Sequence, residues 1–406
     1  MMFSIFIGFF FTLTINGLPL KDQLGPVQPA GHKLEYLAAL WRHGDRAPAK
    51  SFYHDLVNAS YWDNGYAQLT NYGIEQQRRL GKWIYNRYVQ EFKYLPTDFD
   101  SKSIKIQSTW YNRTKESALY NFKGLYGEDI SFGKLKILTI PDDQVDIVGL
   151  PYDNCEYAHQ LAKEILKTKE VKEYLVQHKQ WQQRLAKAMN MSMDNVVDWF
   201  SIEDPLYLEK RKGLKLSPEY ETNYAEIFDM YLQGIRFMYG LDLKPQNLID
   251  WRYEMVKMQA GGLLTTVVND MSVRAFCEHN PNQAYWFFSM HDTNVLGVLN
   301  SFDFPKVDYN RNDNVELGCS LFFELWSDEE KQKYVKIIYR RSPEEIFDLS
   351  EQISGCKSIG KGLGCSLEDF LKRTDKYLIP RTDKYCAKPL PSESSTDDAP
   401  LVPFKV

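Results

Sequence analysis

Arg42, His43, Gly44, Asp45 and Arg46 stand side by side in LWRHGDRAP, residues 40–48. Two permanent cations bracket an imidazole, next to a glycine, where an apolar run ends. A guanidinium is always charged and offers a fork of donors that fits phosphate oxygens. Arg113, in TWYNRT, is a third cation able to converge with them. Taken singly, each arginine reads as a surface ion pair. Together they describe a site for a compact, multiply charged anion, with phosphate foremost. Neighbouring cations disfavour the imidazolium form. His43 is therefore expected neutral, with a lone pair free to attack phosphorus and form a phosphohistidine, which splits one hard displacement into two easier ones. Gly44 allows a sharp turn and close backbone approach.

A second constellation is His291-Asp292 in FFSMHDTN. His291 can donate a hydrogen bond to the same anion, and Asp292 can protonate a leaving alcohol. An aspartate near three arginines should have a depressed pKa and be a poor acid at neutral pH. A bound phosphate offsets part of that field and acidic medium supplies the rest, so the site itself predicts an acid pH optimum. His32, His54, His159, His178 and His279 lack such surroundings and read as ordinary side chains.

These residues need elements to hold them. LEYLAALW, residues 34–41, reads as a buried strand ending at the basic cluster. SIKIQS, 103–108, reads as a second strand running into TWYNRT, and AYWFFSM, 284–290, as a third running into HDTN. Residues 315–326 and 334–340 read as a strand pair. Helical spacing covers 70–92, continues in ESALYNFKGLYG, and returns in GGLLTTVVNDMSVRAFCEH before the third strand. From about Asn154 to Tyr239 the texture is rich in Lys, Glu, Gln, Leu and Tyr, a helical block. The expected fold is α/β: a mainly parallel sheet flanked by helices, with a helical cap insertion. The expected division is 33–150 with 245–388 as the α/β domain and 151–244 as the cap. In open α/β sheets ligands bind at the carboxyl ends of the strands, and here three strands end in RHGDR, TWYNRT and HDTN.

The chain has 406 residues, 44% hydrophobic and 25% charged, with a formal net charge of −5. That balance argues against general affinity for nucleic acid or anionic membrane, so any basic site is local. The first 17 residues, apolar to about Ile15, have the shape of a secretory signal peptide. With that signal cleaved, no membrane association is expected, and residues 389–406 read as a disordered tail. Cys155, Cys277, Cys319, Cys356, Cys365 and Cys386 contain no CxxC pair and fit disulfides better than zinc. Asn58, Asn112 and Asn190 begin N-x-S/T sequons. A secreted or lumenal glycoprotein is the expectation.

RHGDRAP at 42–48 resembles the RHGxRxP motif of the histidine acid phosphatases, a pattern that chance places in well under about one chain in a thousand. SIKIQSTWYNRT and FFSMHDTN resemble that family's other site segments, and the similarity runs over about residues 33–388. It points to the animal branch of prostatic, lysosomal, insect-venom and nematode enzymes, in a clan shared with the phosphoglycerate mutases. The resemblance implies His43 as nucleophile, Asp292 as proton donor, and Arg42, Arg46, Arg113 and His291 as phosphate ligands. It implies no cofactor or metal, phosphomonoester substrates, and often a homodimer. It also implies Cys155–Cys386 and Cys356–Cys365 disulfides, leaving Cys277 and Cys319 as the remaining pair. Two departures stand out. Asn112 replaces the family's usual aspartate before Arg113, placing a sequon beside the site, where it is expected to stay unmodified. Leu208, in DPLYLEK, stands where mammalian relatives carry a cysteine.

The leading expectation is a secreted acid phosphatase of broad specificity. A narrower phosphatase for inositol phosphates, phosphosugars or lysophospholipids is the alternative. A non-catalytic secreted binding protein or antigen is a third reading, disfavoured because all six expected site residues are present.

Overall fold

The computed structural model describes Gly25, Val27 and residues 29–277, 285–304, 314–357, 363–379 and 382–391. The signal-peptide segment, the tail from residue 392 and His279 lie outside the described residues. Among the described residues, no helix is long and apolar enough to cross a membrane.

One sheet organises the chain. Its strands are β1 (Lys33–Arg42), β2 (Ile104–Ser108), β3 (Tyr285–Met290), β4 (Ser320–Ser327), β5 (Lys333–Ser342), β6 (Glu345–Asp348) and β7 (Cys365–Ser366). The order is β2-β3-β1-β4-β5-β6, with β7 on β5. The parallel core is β2-β3-β1, and β4, β5 and β6 extend it antiparallel. Because the three core strands run the same way, their carboxyl ends share one edge. The register sets Arg42 opposite Met290 and Ser108 opposite Ser289.

Strands β1, β3 and β4 are nearly continuous apolar runs because both faces are covered. In β1, Tyr36, Ala38 and Leu40 pack on one face with residues of α8 (Trp251–Phe276) and α9 (Asp292–Ser301). Leu37, Ala39 and Trp41 face the other way, toward α1 (Asn71–Ile84) and α2 (Asn112–Tyr126). This is the period-2 alternation of a strand serving two cores. A short helix α3 (Phe132–Leu135) follows α2. Then α4 (Glu156–Ile165), α5 (Lys169–Ala188), α6 (Phe200–Arg211) and α7 (Pro218–Met238) interrupt the strand–helix alternation, with no strand among them. Helices α10 (Leu367–Asp375) and α11 (Thr382–Tyr385) close the described chain.

Three elements differ from their sequence expectation. The 70–92 helix is α-helical only to Ile84 and widens into a π-helical turn over Tyr85–Glu91. There the consecutive residues Arg87 and Tyr88 both reach Glu324 on β4, at 2.9 Å (Nη2) and 2.7 Å (Oη). Trp326 Nε1 donates to the other carboxylate oxygen at 2.9 Å. Helix α8 starts at Trp251, ten residues ahead of GGLLTTVV, because Asp250 caps it by accepting from Tyr253 N at 3.1 Å. Strand β4 starts at Ser320, not 315, because Gly318 takes a left-handed φ of 73° and breaks the extension.

The Arg87–Glu324 pair is 1% and 0% exposed. Removing one member of such a pair leaves a buried charge without its counter-ion. Glu324→Gln is expected to lower unfolding stability by about 3–5 kcal/mol, read by urea denaturation of the disulfide-intact protein. A loss below about 1 kcal/mol would show that the pair contributes little.

Disulfides join Cys155 to Cys386 and Cys356 to Cys365. The expected Cys277–Cys319 bridge is not formed. Cys277 follows the last turn of α8, at the edge where the parallel strands begin, near the Lys33 end of β1. Lys333, at the start of β5, donates to the nearby Ala275 carbonyl at 2.7 Å. Cys319 lies at the opposite edge, where its carbonyl accepts from Arg42 N at 3.0 Å. The ten residues of β1 separate the two thiols by roughly 30 Å, far beyond disulfide reach.

Candidate active site

The carboxyl edge of β1 delivers Arg42 and His43 into a crowded junction. His43 N donates to Met290 O on β3, and Gly318 N donates to His43 O, both at 3.0 Å. The next residue, Gly44, donates its N–H to Ser117 Oγ on α2 at 3.1 Å. A Cβ at Gly44 would stand 2.5 Å from Gly73 O, and one at Gly73 would collide with Asp45 O. The two glycines let the loop after β1 lie directly on the first turn of α1, and the His43 backbone is held at both its N–H and its carbonyl.

His43 is 2% exposed. Its Nδ1 lies 2.9 Å from Gly44 O. A carbonyl oxygen only accepts, so Nδ1 carries the proton and Nε2 holds a lone pair. Burial drives the imidazole well below its usual pKa, and Arg113, Arg46, His291 and Arg42 push it the same way. A neutral imidazole held in a fixed orientation results.

The arginines have unequal companions. Arg42 Nη1 donates to Val315 O at 2.5 Å, and its Nη2 lies 3.0 Å from Asp292 Oδ2. Arg46 forks onto Asp204 of α6, at 2.7 Å and 3.1 Å. Arg113, in the first turn of α2, has no hydrogen-bond or ion-pair partner among the described residues. Its guanidinium stacks 4.2 Å over the Tyr111 ring. Burial and the nearby Arg46 lower Arg113 to about 10, where it is still charged at neutral pH. Its Nε and that of Arg46 are buried without a hydrogen-bond partner.

His291 caps α9 and its ring lies 5.5 Å from that of His43. Its Nε2 is 2.9 Å from Thr109 Oγ1, and burial and Arg113 lower its pKa as well. Asp292 opens α9. Burial alone would raise its carboxyl, but Arg42, His291 and Arg46 outweigh that and hold it at about 2. The structure thus brings Arg42, His43, Arg46, Arg113, His291 and Asp292 to one edge. No group of metal-ligating side chains suited to an ion occurs among the described residues.

Sequence reasoning missed three participants. Asp204 lies in DPLYLEK, noted only for its missing cysteine, and one acid in a charged helix carries no signal. Lys212, just after α6, pairs with the buried Asp45 at 2.7 Å and ties the helical insertion to the loop a second time. Thr109 ends β2 and holds His291; only its place after SIKIQS hinted at a role. Asn58, Asn112 and Asn190 are all exposed.

The model of the histidine phosphatase superfamily (branch 2) matches residues 33–340. Human prostatic acid phosphatase is 26% identical over 347 residues, covering 83% of this chain and 84% of that protein. Rat lysosomal acid phosphatase is 24% identical over 373 residues, covering 89% and 81%. Among solved structures, the apo phytase of Hafnia alvei aligns with a TM-score of 0.61 at 17% identity, over 89% of this chain and 100% of that one. The Bifidobacterium longum multiple inositol polyphosphate phosphatase in complex with phosphate gives 0.56 at 15%, over 90% and 97%. Matched over most of its length by the family model and carrying that family's fold, the chain belongs to the histidine phosphatase superfamily, branch 2.

Proposed function

We propose that the protein hydrolyses phosphomonoesters in acid through a covalent phosphohistidine at His43. The observation that carries this reading is a buried imidazole whose Nε2 lone pair is free, beside three guanidiniums. Arg42, Arg46, Arg113 and His291 hold the phosphoryl oxygens. Nε2 attacks phosphorus as the ester oxygen departs, and that oxygen takes its proton from Asp292. Water then attacks the phosphohistidine and returns its proton to Asp292, releasing inorganic phosphate and the free imidazole. No step calls on a metal ion. The phosphate's negative charge offsets the guanidinium field, lifting Asp292 from its depressed pKa toward its working form.

The helical insertion serves as the cap, since Asp204 and Lys212 bind it to the loop carrying the nucleophile. The acid phosphatase names of the curated relatives support the reaction class. Two disulfides and the apolar N-terminal run support a secreted or lumenal site of action. The test is hydrolysis of p-nitrophenyl phosphate from acidic to neutral pH with a chelator present. Activity peaking in acid and indifferent to the chelator is expected. Folded protein that is inactive at every pH would overturn the reading.

A further inference from the structure

A cavity of about 300 Å³ lies on the far side of the segment that backs His43. It is bounded by Tyr72, Gln76 and Arg79 of α1, by Glu316–Gly318, and by Arg340 with the turn after β5. Arg340 is 4% exposed, yet it has no hydrogen-bond or ion-pair partner among the described residues. Its Nε is fully buried and unpaired. Its guanidinium stacks 5.6 Å from the Trp83 ring, which supports a cation but satisfies no donor. Burial pulls its pKa to about 10, and Glu344 and Cys319 offset that only in part. Directly across on β4, Ser320 is 0% exposed and its hydroxyl also lacks a partner. Cross-strand neighbours share a face, so an unpaired buried hydroxyl stands behind the arginine that lines the cavity.

The other charges nearby are largely committed. Arg211 pairs with Glu316 at 2.5 Å, and Arg341 with Glu345 at 2.5 Å. Arg79 pairs with Glu75 through an exposed side chain that can swing. Glu344 lies near enough to offset part of the burial of Arg340 but makes no ion pair with it; a buried guanidinium without a direct counter-ion is a costly arrangement, and this one has room beside it. The carboxylates of the wall, Glu316, Glu344 and Glu345, repel any anion that reaches them, so only a compact one fits beside Arg340.

We propose that this cavity is a second anion site, taking a small tetrahedral oxyanion of the phosphate class on Arg340 and Arg79. It is separate from the site of the nucleophile but shares its wall. Gly318 lines the cavity and donates to His43 O, and Gln76 lines it and accepts from Asp45 N at 2.8 Å.

The experiment is calorimetric titration of the whole protein with inorganic phosphate at acid pH, comparing wild type with Arg340→Gln, each checked for a cooperative thermal transition. Two equivalents are expected in wild type and one in the variant. If the reading of the His43 site failed while this one held, wild type would bind one equivalent and the variant none. Equal stoichiometry and affinity in both proteins would overturn the second site. Should Arg340→Gln not fold, Arg79→Gln is expected to weaken the same event about tenfold or more, the loss of a charge-assisted contact. No change there would also overturn it.

Discussion

Replacing His43 with alanine is expected to reduce kcat for phosphomonoesters by at least about 10⁴-fold, the scale on which a covalent nucleophile is lost. Phosphate should still bind, because the three guanidiniums remain and a ring that burial has already neutralised contributes no charge. The two readouts are turnover and phosphoenzyme trapped by rapid quench, and both should vanish in the variant. A variant retaining near-normal turnover would remove His43 from the mechanism. The depressed pKa of the ring gives a sign to the pH profile. Below its folded pKa the imidazole protonates and loses its lone pair. Because burial and Arg113 lower that pKa, the lone pair is expected to persist into the acid range in which Asp292 is proposed to work.

Asp292→Asn should cost about 10²–10⁴ in kcat for alkyl phosphates, which leave poorly without a proton. It should cost much less for p-nitrophenyl phosphate, whose leaving group needs little help. Only protonated Asp292 can give a proton, and raising the pH depletes that form. Wild-type activity on alkyl esters therefore falls as pH rises, while the variant's residual rate should be flat over the same range. Asp292 also engages Arg42 at 3.0 Å. Its neutral replacement frees that guanidinium, so KM should stay level or fall as kcat drops. Equal losses on both ester classes would reassign Asp292 to positioning rather than proton transfer.

The site was legible in the sequence where chemistry is local and the backbone regular. RHGDR, TWYNRT and HDTN each follow a short apolar strand, and a parallel core brings their ends to one edge. What escaped the sequence is contact across distance. Asp204 meets Arg46 from a helix about 158 residues away, and no spacing rule links them. Pairing Cys277 with Cys319 assumed that leftover thiols must meet; the length of β1 keeps them apart. VELGC reads as strand from its apolar residues, yet Gly318 turns it into the loop that braces His43. The widened turn at 85–91 is equally invisible to periodicity, because it exists to aim Arg87 and Tyr88 at one distant carboxylate.

The strand order has a consequence for how the chain is made. Strand β1 sits between β3 and β4, so both its partners come late: Leu40 pairs with Phe288 and with Leu321. At about 5–20 residues per second, roughly 250 residues must be synthesised, for some tens of seconds, before the first partner strand exists. Throughout that interval LEYLAALW is an apolar segment with both edges unpaired, the kind that seeks other strands. Biogenesis of this protein should therefore depend on a holding chaperone. Nascent chains halted before Tyr285 should aggregate, whereas those extended beyond Ser327 should not.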